Sequence, residues 1–153
     1  MDILKLSKND QLSKSDLLQL LFRVNHLLQQ RFEVGLLSCG LPEQLTGPRL
    51  RVLFEISAAG KIRMNELATK LGIKARTVTQ FVDALEKENF IVRIPDPSDR
   101  RATILQLTDF ARPIIETADT VSNTISENLI DTLTLEQQNQ LADILLQLNS
   151  SEN

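Results

Sequence analysis

The stretch 62–107 constrains the fold of this chain most, because two short helical patterns run into a hairpin pattern there. In the first, 64–71, apolar residues recur at i, i+3, i+4 and i+7 and therefore lie on one stripe. Gly72 ends this pattern, and the same spacing returns over 78–85. Helix, turn, helix and hairpin in this order predict a winged helix-turn-helix module.

The predicted hairpin consists of two β-prone runs, 90–94 and 102–107, on either side of the loop 95–101. The loop sequence, PDPSDRR, contains two prolines, a serine and two aspartates, which favour a turn over a continuing strand. In a winged helix-turn-helix module this loop is the tip of the wing.

The charged residues of the wing have two predicted roles. Arg100 and Arg101 leave the loop where they can enter a DNA minor groove, whose narrow A·T tracts attract arginine. Asp96 and Asp99 would repel phosphate if they faced DNA. We therefore expect them to stabilise the wing by pairing with an arginine or by accepting backbone N–H groups.

The polar side of the second helix begins with basic and hydroxyl groups. Arg76 can form two hydrogen bonds with guanine, and Gln80 can form two with adenine. Lys74 is better suited to binding a backbone phosphate. The alternative is an ordinary solvated face of an amphipathic helix, but the wing that follows favours DNA. The predicted DNA-binding residues are Lys74, Ala75, Arg76, Thr77, Thr79, Gln80, Arg100 and Arg101.

Several short motifs in the chain resemble the MarR family of bacterial winged helix-turn-helix regulators over residues 45–112. The most specific one is the acidic and basic wing followed by Leu107-Thr108. The others are Leu45-Thr46, Arg51-Val52-Leu53, Glu66-Leu67-Ala68, Leu71-Gly72, Thr77-Val78-Thr79, Val82-Asp83 and Leu85-Glu86.

The resemblance implies a mainly α fold with a small β-hairpin wing, as one MarR-like domain over residues 1–153. Residues 10–45 and 112–150 would form a helical dimerisation region, and residues 46–111 a winged DNA-binding lobe. It further implies a homodimer that acts, most simply as a repressor, at a pseudo-palindromic operator. A small-molecule effector that releases DNA is also typical of the family, whereas no cofactor or metal is expected.

Four positions depart from the family pattern, and one of them is Ala111, where the family often has glycine. Asn89 replaces a glycine after the second helix and tolerates a left-handed cap. Arg63 stands where Ser or Thr often caps the first helix, which predicts a weaker cap. Pro113 falls inside the expected next helix, so we expect that helix to kink or to start late.

The flanking segments have helical periodicity. Leucine and valine residues form a wide apolar stripe over 15–32, which suits a partner helix. A weaker stripe follows at 115–129 and a strong one at 141–148, and Thr134 and Gln137 have capping-box spacing before the last. These helices either wrap their own lobe or form a dimer, and the resemblance favours the dimer.

Charge and cysteine content fit an intracellular DNA-binding protein. The net charge is -3, but residues 61–101 carry nine Lys/Arg against six Asp/Glu, and residues 102–153 one against eight. Residues 1–5 lack the layout of a signal peptide, and no apolar run reaches membrane-span length, so we expect a cytoplasmic protein. The single cysteine, Cys39, has no cation among its sequence neighbours, so a redox role is not indicated.

An enzyme is not indicated, because the chain has no glycine-rich phosphate loop, no metal-ligand cluster and no nucleophile–base pair. The stronger rival is a winged helix that binds another protein instead of DNA.

The sequence does not decide whether the chain has an effector pocket. A pocket between the first, second and fifth helices would place an arginine or a histidine near aromatic rings. The same side chains are equally suited to an ordinary core, which is the simpler interpretation. The residues concerned are Phe22, His26, Phe32, Arg51 and Phe54.

Overall fold

The structure, a computed structural model, describes residues 11–150, which form six α-helices and a three-stranded antiparallel sheet. This arrangement confirms the predicted fold class. The run 1–5, used above for the signal-peptide argument, lies outside the described residues. No helix within 11–150 is both long and apolar enough to cross a membrane. The elements are α1 Lys14–Ser38, α2 Gly47–Ala59, β1 Ile62–Arg63, α3 Met64–Leu71, α4 Ala75–Lys87, β2 Ile91–Pro95, β3 Thr103–Leu107, α5 Ala111–Ile130 and α6 Leu135–Asn149.

The helix-turn-helix consists of α3 and α4, and left-handed residues close both helices. Gly72 follows α3 with φ 62°, and the N–H of Ile73 donates to the carbonyl of Ala68. Asn89 follows α4 with φ 66°, which confirms the left-handed conformation predicted for it. At the start of α3 only half of a capping box forms. The Glu66 carboxylate accepts the Arg63 N–H at 3.3 Å. The second bond of a capping box is missing, because the Arg63 guanidinium has no acceptor atom for the Glu66 N–H.

The sheet has the strand order β1-β3-β2, with β3 in the centre. The β2–β3 hairpin is the predicted one, and Arg93 lies opposite Leu105 in it. The short strand β1 was not predicted. Its two residues show no strand pattern of their own and are extended because they pair with Leu105 and Ile104.

The hydrophobic core lies between α2, α3, α4, the sheet and the first half of α5. Leu53, Leu67, Val78 and Leu105 are completely buried at its centre. The apolar stripe of α5 adds Ile115 to the same core, as its spacing predicted. The core therefore fixes the inner face of α4 and leaves its opposite face exposed.

Two predicted helix limits are wrong. Helix α1 extends to Ser38 and not to residue 32, because its last part packs Leu36 into the core. Helix α5 starts at Ala111 and is unbroken, so the disruption expected at Pro113 does not occur. Pro113 lies in the first turn, where a backbone N–H has no partner within the helix and its loss is harmless.

The last helix, α6, begins with the predicted capping box. The Gln137 N–H donates to Thr134 Oγ1 at 3.2 Å, and the Thr134 N–H donates to Gln137 Oε1 at 3.0 Å. None of its residues is buried within the single chain. Its apolar stripe is therefore available to a partner.

Candidate nucleic-acid interface

Helix α4 presents a polar face to solvent at its N-terminal end. Lys74 is the N-cap residue, with extended backbone angles, and Arg76 is exposed one turn before Gln80, which is also exposed. Ala75 is exposed as well. The opposite face is held in the core by Val78, Val82 and Leu85. The structure thus brings the predicted residues of this helix onto one accessible surface.

The two threonines of this helix differ from each other. Thr77 is half-buried, so only part of its side chain reaches the surface. Thr79 is exposed, and its hydroxyl donates to the carbonyl of Ala75 at 2.9 Å. This bond leaves the oxygen and the methyl group of Thr79 free to face a ligand.

The wing loop carries Arg100 and Arg101 at its exit, and both are exposed. Within residues 11–150 neither guanidinium forms an ion pair. An unpaired guanidinium can bind an external phosphate or base without first breaking an internal bond.

Asp96 lies at the base of the wing, with a side chain that is only 4% exposed. Its Oδ1 accepts the Ser98 N–H at 2.9 Å and the Ser98 hydroxyl at 2.7 Å. Its Oδ2 lies 2.7 Å from Nη2 of Arg63. These contacts lower the pKa of Asp96 below its ordinary value, although burial acts to raise it. The Ser98 N–H contributes most, followed by the Ser98 hydroxyl and by Arg63.

Asp99 closes the other half of the wing loop. Its carboxylate accepts the Arg101 N–H at 2.9 Å, and its carbonyl accepts the Ala102 N–H at 3.0 Å. The side chain itself is exposed. The loop therefore follows a defined path on both sides of Arg100.

The wing is attached to α4 by Arg93 of β2. Its guanidinium donates to Asp83 and lies 3.8 Å from Glu86, and both carboxylates belong to α4. The sequence did not predict that Arg93 or Arg63 contacts the carboxylates of the site, although Arg63 was identified as a weak helix cap. An acidic residue on an otherwise basic face, such as Asp83, is the signal that could have suggested a cation on a neighbouring element.

A cavity of about 380 Å³ lies between α1, α2 and α5. Three of the five residues named for an effector pocket line it: Phe32, Arg51 and Phe54. Phe22 and His26 do not, because both are exposed further towards the start of α1. The simpler interpretation of those two as core residues is therefore also wrong for the single chain.

Comparison with known proteins identifies the family. The MarR family model matches residues 45–103. The uncharacterized HTH-type transcriptional regulator YhbI of Bacillus subtilis (strain 168) is 30% identical over 110 residues, which are 70% of this chain and 71% of YhbI. The chain belongs to the MarR family. This confirms the resemblance seen in its motifs.

Two further relatives from the same organism are similar. The HTH-type transcriptional repressor MdtR is 29% identical over 121 residues, 79% of this chain and 78% of MdtR. The uncharacterized regulator YfiV is 33% identical over 67 residues, but these span only 42% of YfiV. These relatives are named as transcriptional regulators, so the prediction of a MarR-family regulator and not an enzyme is confirmed.

Solved structures share the MarR fold with this chain. The Staphylococcus aureus MepR–DNA complex superposes with a TM-score of 0.77 at 22% identity, covering 92% of this chain and 99% of MepR. PcaV from Streptomyces coelicolor, in complex with its natural ligand, superposes with a TM-score of 0.76 at 17% identity, covering 97% of this chain and 100% of PcaV. At these identities the likeness concerns the fold alone.

Proposed function

We propose that the protein is a homodimeric regulator that binds double-stranded DNA sequence-specifically and represses transcription at a pseudo-palindromic operator. One observation carries the proposal. The exposed basic end of α4 and the unpaired wing arginines lie on elements that Arg93 ties together. A helix and a β-ribbon joined in this way can occupy a major groove and the adjacent minor groove at the same time.

Each predicted side chain has a distinct role in this arrangement. Arg76 and Gln80 read base edges in the major groove, and Lys74 binds the backbone phosphate beside them. Arg100 and Arg101 enter the minor groove. Thr79 and the accessible part of Thr77 contact a thymine methyl or a phosphate, while Ala75 packs closely against the groove. The wing keeps its shape through Asp96 and Asp99.

A second copy of the chain completes the molecule in this proposal. Residues 10–45 and 112–150 form the dimerisation region, and residues 46–111 form one DNA-binding lobe per chain. The support is the exposed apolar surface of α1 and α6, which a soluble monomer would rarely leave uncovered over so large an area. The two α4 helices would then reach major grooves about one helical turn, ~34 Å, apart.

The cavity between α1, α2 and α5 is the proposed effector site. Arg51 supplies a positive charge beside the rings of Phe32 and Phe54, which suits a small aromatic anion. The solved structure of PcaV with its natural ligand supports a ligand-binding role for this fold. An effector that binds here would change the spacing of the two lobes. A coupling free energy of ~1–3 kcal/mol between effector binding and DNA binding would weaken operator binding about 5- to 150-fold.

We further place the protein in the bacterial cytoplasm, where its DNA target is. The single cysteine fits a reducing compartment, since it cannot form an intrachain disulfide. Cys39 is exposed just after α1.

The proposal is tested by selecting bound duplexes from a random DNA library with the purified protein at two salt concentrations. We expect a palindrome with half-sites about one turn apart, whose preference at one base position is relaxed in Arg76→Ala, and an affinity whose logarithm falls linearly with log salt. Recovery of no motif would contradict sequence-specific binding and would favour a winged helix that binds another protein.

A further inference from the structure

We propose that Arg63 is a positioning residue for the wing, which holds the loop so that Arg100 and Arg101 face DNA. The inference rests on the DNA-binding function proposed above and adds a residue outside the predicted DNA-binding set. It assigns a purpose to an arginine at a helix cap where a hydroxyl group would serve the helix better.

The contacts of Arg63 are directed at the wing. Its Nη2 lies 2.7 Å from Asp96 Oδ2 and donates to Ser98 Oγ at 3.3 Å. Within residues 11–150 this ion pair is the one polar interaction of Oδ2, which accepts no hydrogen bond. Because the Asp96 carboxylate is nearly excluded from water, that oxygen depends on Arg63 for its compensation.

Arg63 is itself held at a fixed position. It pairs with Ile104 in the sheet and is the N-cap residue of α3. Its guanidinium therefore extends from a rigid part of the lobe to the base of the loop. It gives nothing to the start of α3, where the Arg63 N–H donates to the Glu66 carboxylate and the Glu66 N–H donates to Asn65 Oδ1 at 2.9 Å.

The loop transmits this anchor to the two arginines of the wing. Asp96 receives the Ser98 N–H on one side, and its own N–H donates to the Ala102 carbonyl at 3.2 Å. The Asp99 carboxylate then receives the N–H of Arg101. Arg100 and Arg101 thus lie within a short turn whose base is held at Asp96.

The decisive variant is Arg63→Thr, because it removes the anchor and supplies the hydroxyl that a capping box with Glu66 requires. We expect its melting temperature to lie slightly below that of the native protein, because the new cap offsets only part of the cost of leaving Asp96 Oδ2 without its partner. Operator affinity should fall about tenfold, as for one lost arginine contact. Amide NMR order parameters should fall over residues 98–101 and remain unchanged over α4.

Two further variants complete the experiment. Arg63→Lys keeps the charge within reach of Asp96 and should recover part of the affinity and of the loop order. Arg112→Thr is the matched control. It breaks a different ion pair, with Asp109 at 3.5 Å, outside the helix-turn-helix and the wing. It should leave operator affinity and wing order unchanged.

A double-mutant cycle in which Arg100 and Arg101 are both changed to alanine separates positioning from direct contact. If Arg63 acts through the wing, Arg63→Thr should lose less than about twofold more in this background. Additive losses would show that Arg63 contacts DNA itself, and native affinity with native loop order in Arg63→Thr would equally overturn the inference. If the native protein selects no operator, the proposed function fails, while the order parameters still decide whether Arg63 holds the loop.

Discussion

At the scale of single residues, Lys74 and Arg76 lie close together but in different geometries. Lys74 is the N-cap of α4 and stands outside the helical turns, whereas Arg76 is the second residue of the helix and is exposed. An ammonium group acts as a point charge, while a guanidinium presents a planar fork that matches two acceptors of one base. The two side chains should therefore make different contributions to DNA binding.

We predict that Arg76→Ala costs about 1–3 kcal/mol of operator binding and relaxes the preference at one base pair. Lys74→Ala should weaken all sequences alike and reduce the salt slope by about one. The measurement is the affinity of both variants for the operator and its single-base changes over a series of salt concentrations. Identical behaviour of the two variants on every sequence would contradict this division of roles.

Asp96 makes the wing sensitive to acid. The pKa of its carboxyl is lowered in the folded chain, mainly by the Ser98 N–H. The ionised form therefore stabilises the wing at pH values above the ordinary pKa of 3.8. This stabilisation is lost as the pH falls through the lower folded value. We expect the Ser98 amide resonance to titrate with a midpoint below 3.8. Asp96→Asn should abolish the titration, and a midpoint at or above the ordinary value would refute the prediction.

At the scale of elements, α1 and α5 pack closely at a glycine. A Cβ atom added to Gly35 would lie 2.8 Å from Cδ1 and 3.0 Å from Cγ1 of Ile125. The β-branched Ile125 has few alternative rotamers in a helix, so it cannot easily move aside. The absence of a side chain at Gly35 is what allows the two helices to approach.

Gly35→Ala should therefore be destabilising, because overpacking of ~1–3 kcal/mol exceeds the ~1 kcal/mol gain in helix propensity. In the Ile125→Ala background the same change should become stabilising by about 1 kcal/mol, since only the propensity gain remains. Denaturant unfolding of the four proteins measures both effects. A gain in stability from Gly35→Ala alone would show that α1 and α5 separate at little cost.

At the scale of the whole molecule, the apolar residues fall into two groups. Those of the winged lobe are buried within one chain, whereas those at the start of α1 and along α6 are not. Leu17 and Phe22 of α1 are 58% and 62% exposed, and Ile144 of α6 is 55% exposed. Such an amphipathic helix gains most of its stability from packing, which the proposed second chain would supply.

We predict that Ile144→Glu shifts the protein from dimer to monomer at micromolar concentration and lowers its melting temperature. Asn139→Glu adds the same charge to the side of α6 opposite the apolar stripe, where Asn139 is exposed, and should leave the dimer intact. Sedimentation velocity measures whether each variant is a dimer or a monomer. A melting temperature that rises with protein concentration would independently indicate that the folded protein is a dimer. A stable dimer in Ile144→Glu would exclude the apolar side of α6 from the interface.

Local sequence was sufficient to predict most elements. The spacing of apolar residues predicted α3, α4 and the core stripe of α5, and turn chemistry predicted the hairpin. Asn89 and the Thr134–Gln137 capping box were also identified in advance. Each of these signals lies within a few residues of the feature it determines, so no knowledge of the fold was needed.

The exposed side of the candidate site was likewise predictable, because helical periodicity decides which side of α4 faces solvent. The residues that hold the site were not. The strand β1, the Arg63–Asp96 pair and the Arg93–Asp83 pair each join segments that are distant in the chain. Composition and periodicity describe one segment at a time. Only the packed structure brings such segments within hydrogen-bond distance and so decides which charges remain free for DNA.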